Sequence, residues 1–127
     1  MRSRGAAEPA GETRNRALPR RSVAYARKMI REVAILNVRA GDETEFEAAF
    51  AGAVSFIRAT EGFIQLHLER CIETTSQYLL TVEWEALENH TVDFRQSDRY
   101  NGWKAALHHF YEPFPTVEHY ESVLRVE

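Results

Sequence analysis

The feature that most constrains this chain is a change of hydrophobic period along it. From Arg31 to Arg39 the sequence REVAILNVR is β-branched and aliphatic on both alternating faces, which predicts a strand buried on both sides. Gly41-Asp42 breaks it. Phe46, Ala49, Phe50, Ala53 and Ile57 then recur at helical spacing, with Asp42 placed to cap and Glu45 placed as the acid of a capping box. Gly62 is a natural helix stop. Phe63 to Ile72 returns to period two, with Ile64, Leu66, Leu68 and Ile72 on one side. After the polar turn Glu73–Ser76, Gln77 to Glu85 is a third strand that pairs with the second as a hairpin. Helical spacing resumes at Leu87, His90, Thr91 and Phe94. It is interrupted at Ser97-Asp98, which can cap a second piece carrying Tyr100, Trp103, Leu107 and Phe110. Pro113 and Pro115 end that region, and Thr116 to Leu124 is the fourth strand.

The order strand, helix, strand, strand, helix, strand is the split βαβ, ferredoxin-like arrangement: an α+β fold (βαββαβ) with an antiparallel sheet and its helices on one face. Such a sheet should be apolar on one side only. Here Val33 and Ile35 oppose Ala34, Leu36 and Val38, while Leu79 opposes Tyr78, Leu80 and Val82. Something must cover the second face. In a chain of 127 residues the economical cover is the sheet of a second copy, so we expect a two-fold homodimer.

Charge divides the chain at the same place as patterning. Residues 1–28 carry a net +6 and residues 29–127 a net −9. The first segment has few large apolar residues and cannot offset the entropy of ordering it. It reads as a disordered basic extension, or as the product of a start codon set too early. An organelle-targeting role is the sharper alternative, and a secretory signal is excluded by the missing apolar stretch. Residues 29–127 form one domain. No run approaches the length of a membrane span. A single cysteine, Cys71, rules out an internal disulfide framework and fits a reducing, cytoplasmic setting. It has no activating base beside it and reads as an inert strand residue. The overall charge of −3, with no basic patch among the aromatics, argues against nucleic acid.

Chemistry-bearing residues concentrate after the third strand. Trp84 closes that strand, and its ring offers a flat wall and an N–H donor; the plainer reading is a large side chain closing the core between strand and helix. His90 lies between Leu87 and Phe94 on the inner side of its helix, and its imidazole can exchange protons near neutrality. Phe94, Tyr100, Trp103, Phe110, Tyr111 and Phe114 form an aromatic tract that packs on the sheet or lines a cavity for a flat ligand. His67 and His119 lie on strands and read as structural. His108 and His109 point about 100° apart on a helix and cannot share one metal. His108 with Glu112 gives only two ligands. No grouping has the composition of a hydrolytic triad.

The segments EVAILNVRAGDETEFEAAF, Glu61-Gly62-Phe63, TVEWEALENH and SDRYNGW resemble the antibiotic biosynthesis monooxygenase family over about residues 31–123. The resemblance implies a dimeric α/β barrel. It also implies an enzyme that oxidises phenols or quinols with O2 and without flavin or metal. On that reading Trp84 and His90 are catalytic, Phe94, Tyr100, Trp103 and His109 bind the substrate, and no cofactor is required. The partners are then a small aromatic substrate, O2 and a second copy. One departure stands out: family members that oxidise aromatic polyketides carry an Asn on the strand before the Trp, and Gln77–Glu83 has none. Two other functions follow from the same features. A non-catalytic dimer would bind an aromatic molecule in the same pocket. A haem-degrading relative would use His108 or His109 as axial ligand, but Ala34 stands where its first-strand Asn is usual.

Overall fold

The computed structural model describes residues 29–127, so the expected basic extension over 1–28 lies outside the described residues. The elements are β1 (Ile30–Asn37), α1 (Glu43–Arg58), β2 (Phe63–Arg70), β3 (Gln77–Trp84), a π-helical turn (Asn89–Phe94), α2 (Asp98–Leu107), a 3-10 turn (His108–Phe110) and β4 (Val117–Tyr120). The four strands form one antiparallel sheet in the order β2-β3-β1-β4, the ferredoxin-like topology.

The register fixes which residues meet the helices. Ala34 faces Leu80 and Leu36 faces Tyr78 across β1–β3, while Leu66 faces Val82 across β2–β3. These inner residues meet Phe46, Phe50, Ala53 and Ile57 of α1 and Trp103 and Leu107 of α2. Each fully buried aliphatic or aromatic side chain in this layer contributes roughly 1.5–3 kcal/mol. Phe50 meets Trp103 edge to face at 5.3 Å, which ties the two helices together over the sheet.

The other face of the sheet is apolar in its centre and uncovered in the single chain. Ile35 and Leu79 are direct cross-strand neighbours there, 46% and 37% exposed. Within one chain the strands therefore alternate buried and exposed, and burial of the second side would need the second copy expected from the sequence.

Several local expectations are corrected. Ile64 does not share one side with Leu66 and Leu68: the register slips between Phe63 and Gln65, Phe63 pairs with Trp84, and Ile64 is exposed. β2 ends at Arg70, so Cys71 opens the turn instead of lying on the strand. β4 stops at Tyr120, well short of Leu124. Tyr120 already pairs with Arg31, and only Ile30 of β1 remains beyond it, too little strand to extend the ladder to Leu124. The Asp42/Glu45 capping box does not form. The Asp42 carboxylate turns to Arg39 at 3.4 Å, and Glu43 accepts from the Gly41 N–H at 3.0 Å. The Ser97 hydroxyl likewise donates back to the Phe94 carbonyl at 2.7 Å and does not cap α2.

Candidate active site

The site is built where β1, β3 and β4 meet the π-helical turn. Glu32 shares the inward phase of Ala34 and Leu36, so the pleat drives a carboxylate into the core beside apolar neighbours. Its cross-strand partners are Val82 on β3 and His119 on β4. Trp84, two residues along from Val82, is fully buried and its indole N–H donates to Glu32 Oε1 at 3.0 Å.

The chain leaves β3 and returns over the sheet through the π-helical turn. Gly62 shapes the corner below: its φ of +86° favours glycine, and a Cβ there would collide with the Asn89 side chain. Asn89 Oδ1 accepts from the Ala86 N–H at 2.9 Å, holding the start of the turn. Inside it the Arg95 N–H reaches the His90 carbonyl at 3.0 Å, the wide i→i+5 spacing that often accompanies functional sites. The turn points His90 and Phe94 inward and places Arg95 at its end.

His90 is 2% exposed and lies nearly parallel to the Trp84 indole, with ring centroids 5.7 Å apart. Its Nε2 is 3.5 Å from Glu32 Oε1 and its Nδ1 is 2.8 Å from His119 Nε2. One nitrogen of that imidazole pair must therefore carry a hydrogen and the other accept it. Trp84, Glu32, His90 and His119 thus form a connected chain of polar atoms from the core to the edge strand. His119 is half-buried at its outer end.

Electrostatics separate the roles. Burial pushes the Glu32 carboxyl up from 4.5 to about 7, only partly countered by the Trp84 N–H and the Arg95 charge. Burial pushes His90 down from 6.5 to about 3, aided by Arg95 and by His119. His119 is lowered too, by burial and by Arg95. At neutral pH both imidazoles are uncharged, so the short approach of His90 to Glu32 is not an ion pair. The group poised to exchange a proton at pH 7 is Glu32.

Buried Glu32 and His90 form the floor of a small cavity of about 70 Å³, walled by Phe94, Tyr100, Trp103, His108 and Tyr111, with Phe114 and Arg95 on its exposed side. Of the residues the family resemblance assigned to catalysis or substrate binding, His90, Phe94, Tyr100 and Trp103 line it, joined by His108, Tyr111 and Phe114 of the aromatic tract. Two placements are corrected. Trp84 is not a wall: it lies behind the floor, and its N–H is spent on Glu32. His109 faces away, exposed against Phe110, because the 3-10 turn carries His108 inward in its place. His119, read as structural, joins the chain of polar atoms. Glu32 was not singled out at all; its signal was a lone acid in phase with the inward residues of β1. Among the described residues no three His, Cys, Asp or Glu side chains gather to hold a metal.

A sequence profile of the antibiotic biosynthesis monooxygenase family matches residues 29–106. The uncharacterized protein YczJ of Bacillus subtilis (strain 168) is 53% identical over 95 residues, which span 75% of this chain and all of YczJ. A crystal structure of a Bordetella bronchiseptica protein carrying the same family description superposes with a TM-score of 0.73 at 37% identity, covering 76% of this chain and 99% of that one. SnoaB, a cofactor-independent oxygenase from Streptomyces nogalater, shares the fold with a TM-score of 0.58 at 22% identity, over 79% of this chain and 96% of SnoaB. The chain belongs to the antibiotic biosynthesis monooxygenase family.

Proposed function

We propose that this protein is a cofactor-independent monooxygenase that oxidises a phenolic or quinol-type aromatic molecule with O2, and that Glu32 is its base. The observation that carries the reading is the free oxygen of Glu32. Oε1 accepts from Trp84, whereas Oε2 has no hydrogen-bond partner among the described residues, and Glu32 lines a cavity with aromatic walls. A buried carboxyl pushed up to about 7 is matched to removing a phenolic proton at neutral pH.

The phenolate so formed is electron-rich enough to pass an electron to O2, and recombination puts a peroxide on the ring. Loss of water then leaves a quinone. One oxygen atom of O2 stays on the ring, and the other leaves as water with the phenolic hydrogen and the displaced ring hydrogen. Phe94, Tyr100 and Trp103 hold the flat substrate, and His90 with His119 links Glu32 to solvent, so the phenolic proton can be exchanged outward and an equivalent one returned to the departing oxygen. The functional unit is a homodimer with the central strands of two sheets facing, which would cover Ile35 and Leu79.

The test is oxygen uptake by the purified protein against quinols and polycyclic phenols. Turnover should require neither flavin nor metal and should collapse in Glu32→Gln. Tight uptake of phenols with no oxygen consumption would leave a binding protein instead.

A further inference from the structure

The cavity is electrically lopsided. Its closed end holds Glu32 and His90, both largely uncharged or titrating at neutral pH. Its exposed side holds one cation, Arg95, and a second, Lys104, stands by the Tyr100 ring that walls it. Arg95 lines the mouth with its guanidinium carbon 6.0 Å from the centre of the Tyr100 ring, and the Lys104 Nζ stands 5.6 Å from the same ring. Among the described residues Arg95 makes no ion pair. The field of these cations is felt inside: Arg95 helps hold His90, His119 and His108 below the ordinary imidazole value, and Lys104 does the same at His108, with burial the larger cause each time. No carboxylate figures among those causes. Glu32 is the one acid lining the cavity; it is buried where Arg95 is exposed, feels the Arg95 charge as well, and is partly protonated near pH 7.

We propose that the ligand of this cavity is an aromatic acid, with its hydroxyl at Glu32 and a carboxylate at the mouth held by Arg95, assisted by Lys104. This rests on the oxygenase reading for the hydroxyl end only. The carboxylate end follows from the placement of the two cations on Tyr100. Guanidinium is suited to this work: it is always charged, and its planar fork matches both oxygens of a carboxylate. A carboxylate at the rim keeps its second side in water, so it supplies orientation without the cost of full desolvation. It would also fix which ring edge meets the base at the floor, because the aromatic walls alone hold a flat molecule in either sense. Lys104 contributes a second, more diffuse charge from α2.

The experiment compares shape-matched pairs that differ in charge: 4-hydroxybenzoate with 4-hydroxybenzamide, and 6-hydroxy-2-naphthoate with its primary amide. Binding to the full-length protein is read by calorimetry and by indole fluorescence, without O2 turnover. At least one acid should bind about 10-fold or more tighter than its amide, as a charge-assisted hydrogen bond implies. Added salt should weaken the acid and leave the amide unchanged. Arg95→Gln should bring acid and amide to within about 3-fold of each other by weakening the acid alone, and Lys104→Gln should do so partially. Arg95 is exposed, so its variant should unfold at the wild-type temperature. Equal affinity for acid and amide, an acid preference that survives in Arg95→Gln, or no binding of either pair at millimolar concentration would each overturn the assignment. Failure of the oxygenase reading looks different: acids bind selectively through Arg95, yet no phenol consumes O2.

Discussion

Glu32 and His119 stand directly opposite each other on adjacent antiparallel strands, and His90 reaches both from the helical layer, at 3.5 Å and 2.8 Å. The sheet register therefore spans a buried acid and a half-buried imidazole with a single side chain between them. This is a path for a proton. An imidazole can take one at one nitrogen while releasing one from the other, so His90 needs no net charge beyond a transient. Transfer from Glu32 first requires the 3.5 Å gap to His90 to tighten, as catalytic contacts do when a ligand closes the cavity.

If His119 is the outer end of that path, His119→Phe slows proton exchange between Glu32 and solvent and leaves substrate binding intact. The expected signature is a fall in kcat at unchanged KM, with part of the rate restored by millimolar imidazole added as a mobile carrier. A rate unaffected by His119→Phe would mean that the proton leaves Glu32 by another route.

The base itself has a signed pH dependence. Glu32 must be ionised to accept a proton, so kcat/KM should rise with an acidic limb near pH 7, where burial has pushed its carboxyl. Glu32→Gln keeps an oxygen for the Trp84 N–H but cannot take a proton. It should lower turnover by ~10²–10⁴-fold and abolish the limb, with little change in ligand affinity. A limb that persists in Glu32→Gln would return the role to another group.

The same carboxyl leaves a mark on stability. Its folded value is raised above the unfolded one, so the folded chain holds the proton more tightly between pH 4.5 and about 7. Its contribution is therefore fully present below pH 4.5 and is lost as pH rises through about 7. Glu32→Gln lacks this loss. Measured against wild type in denaturant, the variant should gain about 3 kcal/mol between pH 4.5 and pH 7.5, from roughly 2.5 units at 1.36 kcal/mol each. His90 acts in the opposite sense in both proteins, being neutral when folded and charged when unfolded below its ordinary 6.5, and cancels in the difference. A flat difference across that range would mean that Glu32 is ionised in the fold.

How much of this was open to reading from the chain varies with the kind of interaction. The element order and the inward stripe Phe46–Phe50–Ala53–Ile57 follow from period alone, because local spacing decides which face of a helix meets the sheet. Glu32 lies at the other extreme. Its donor Trp84 is 52 residues away and its imidazole neighbour comes from the turn beyond, so no local pattern records why a carboxylate is tolerated there. What the chain does record is its phase with Ala34 and Leu36. His108 and His109 were ambiguous for another reason: adjacent residues on a helix end differ by a rotation that the change from α2 to the 3-10 turn resets. The slip at Ile64 likewise depends on pairing with β3, which spacing along β2 cannot show.

Trp84 supports the site from behind, and two substitutions separate its duties. Trp84→Phe keeps most of the packing but removes the N–H that lowers Glu32, so the acidic limb should move above its wild-type position. Trp84→Ala adds a cavity in a fully buried position and should cost ~3–5 kcal/mol of stability. A limb unmoved by Trp84→Phe would show that the 3.0 Å hydrogen bond does not tune the base.

The outer face of the sheet gives the last prediction. Ile35 and Leu79 are cross-strand neighbours on the central strands, and both are exposed in the single chain. A paired sheet would remove them from water, and a charge placed between two such faces would be desolvated without a partner. The wild-type protein should sediment at twice the chain mass at micromolar concentration. Ile35→Asp should sediment as a monomer while keeping its circular dichroism, because the substituted side chain points away from the core that holds each protomer together. Most residues of the cavity lie on the helical side of the sheet, but Phe114 and Pro115 also border a groove beside Val33 and Ile35, so ligand uptake by the monomeric variant would show that one chain completes the site. A wild-type protein that stays monomeric would mean that the apolar centre of this face is simply tolerated in water.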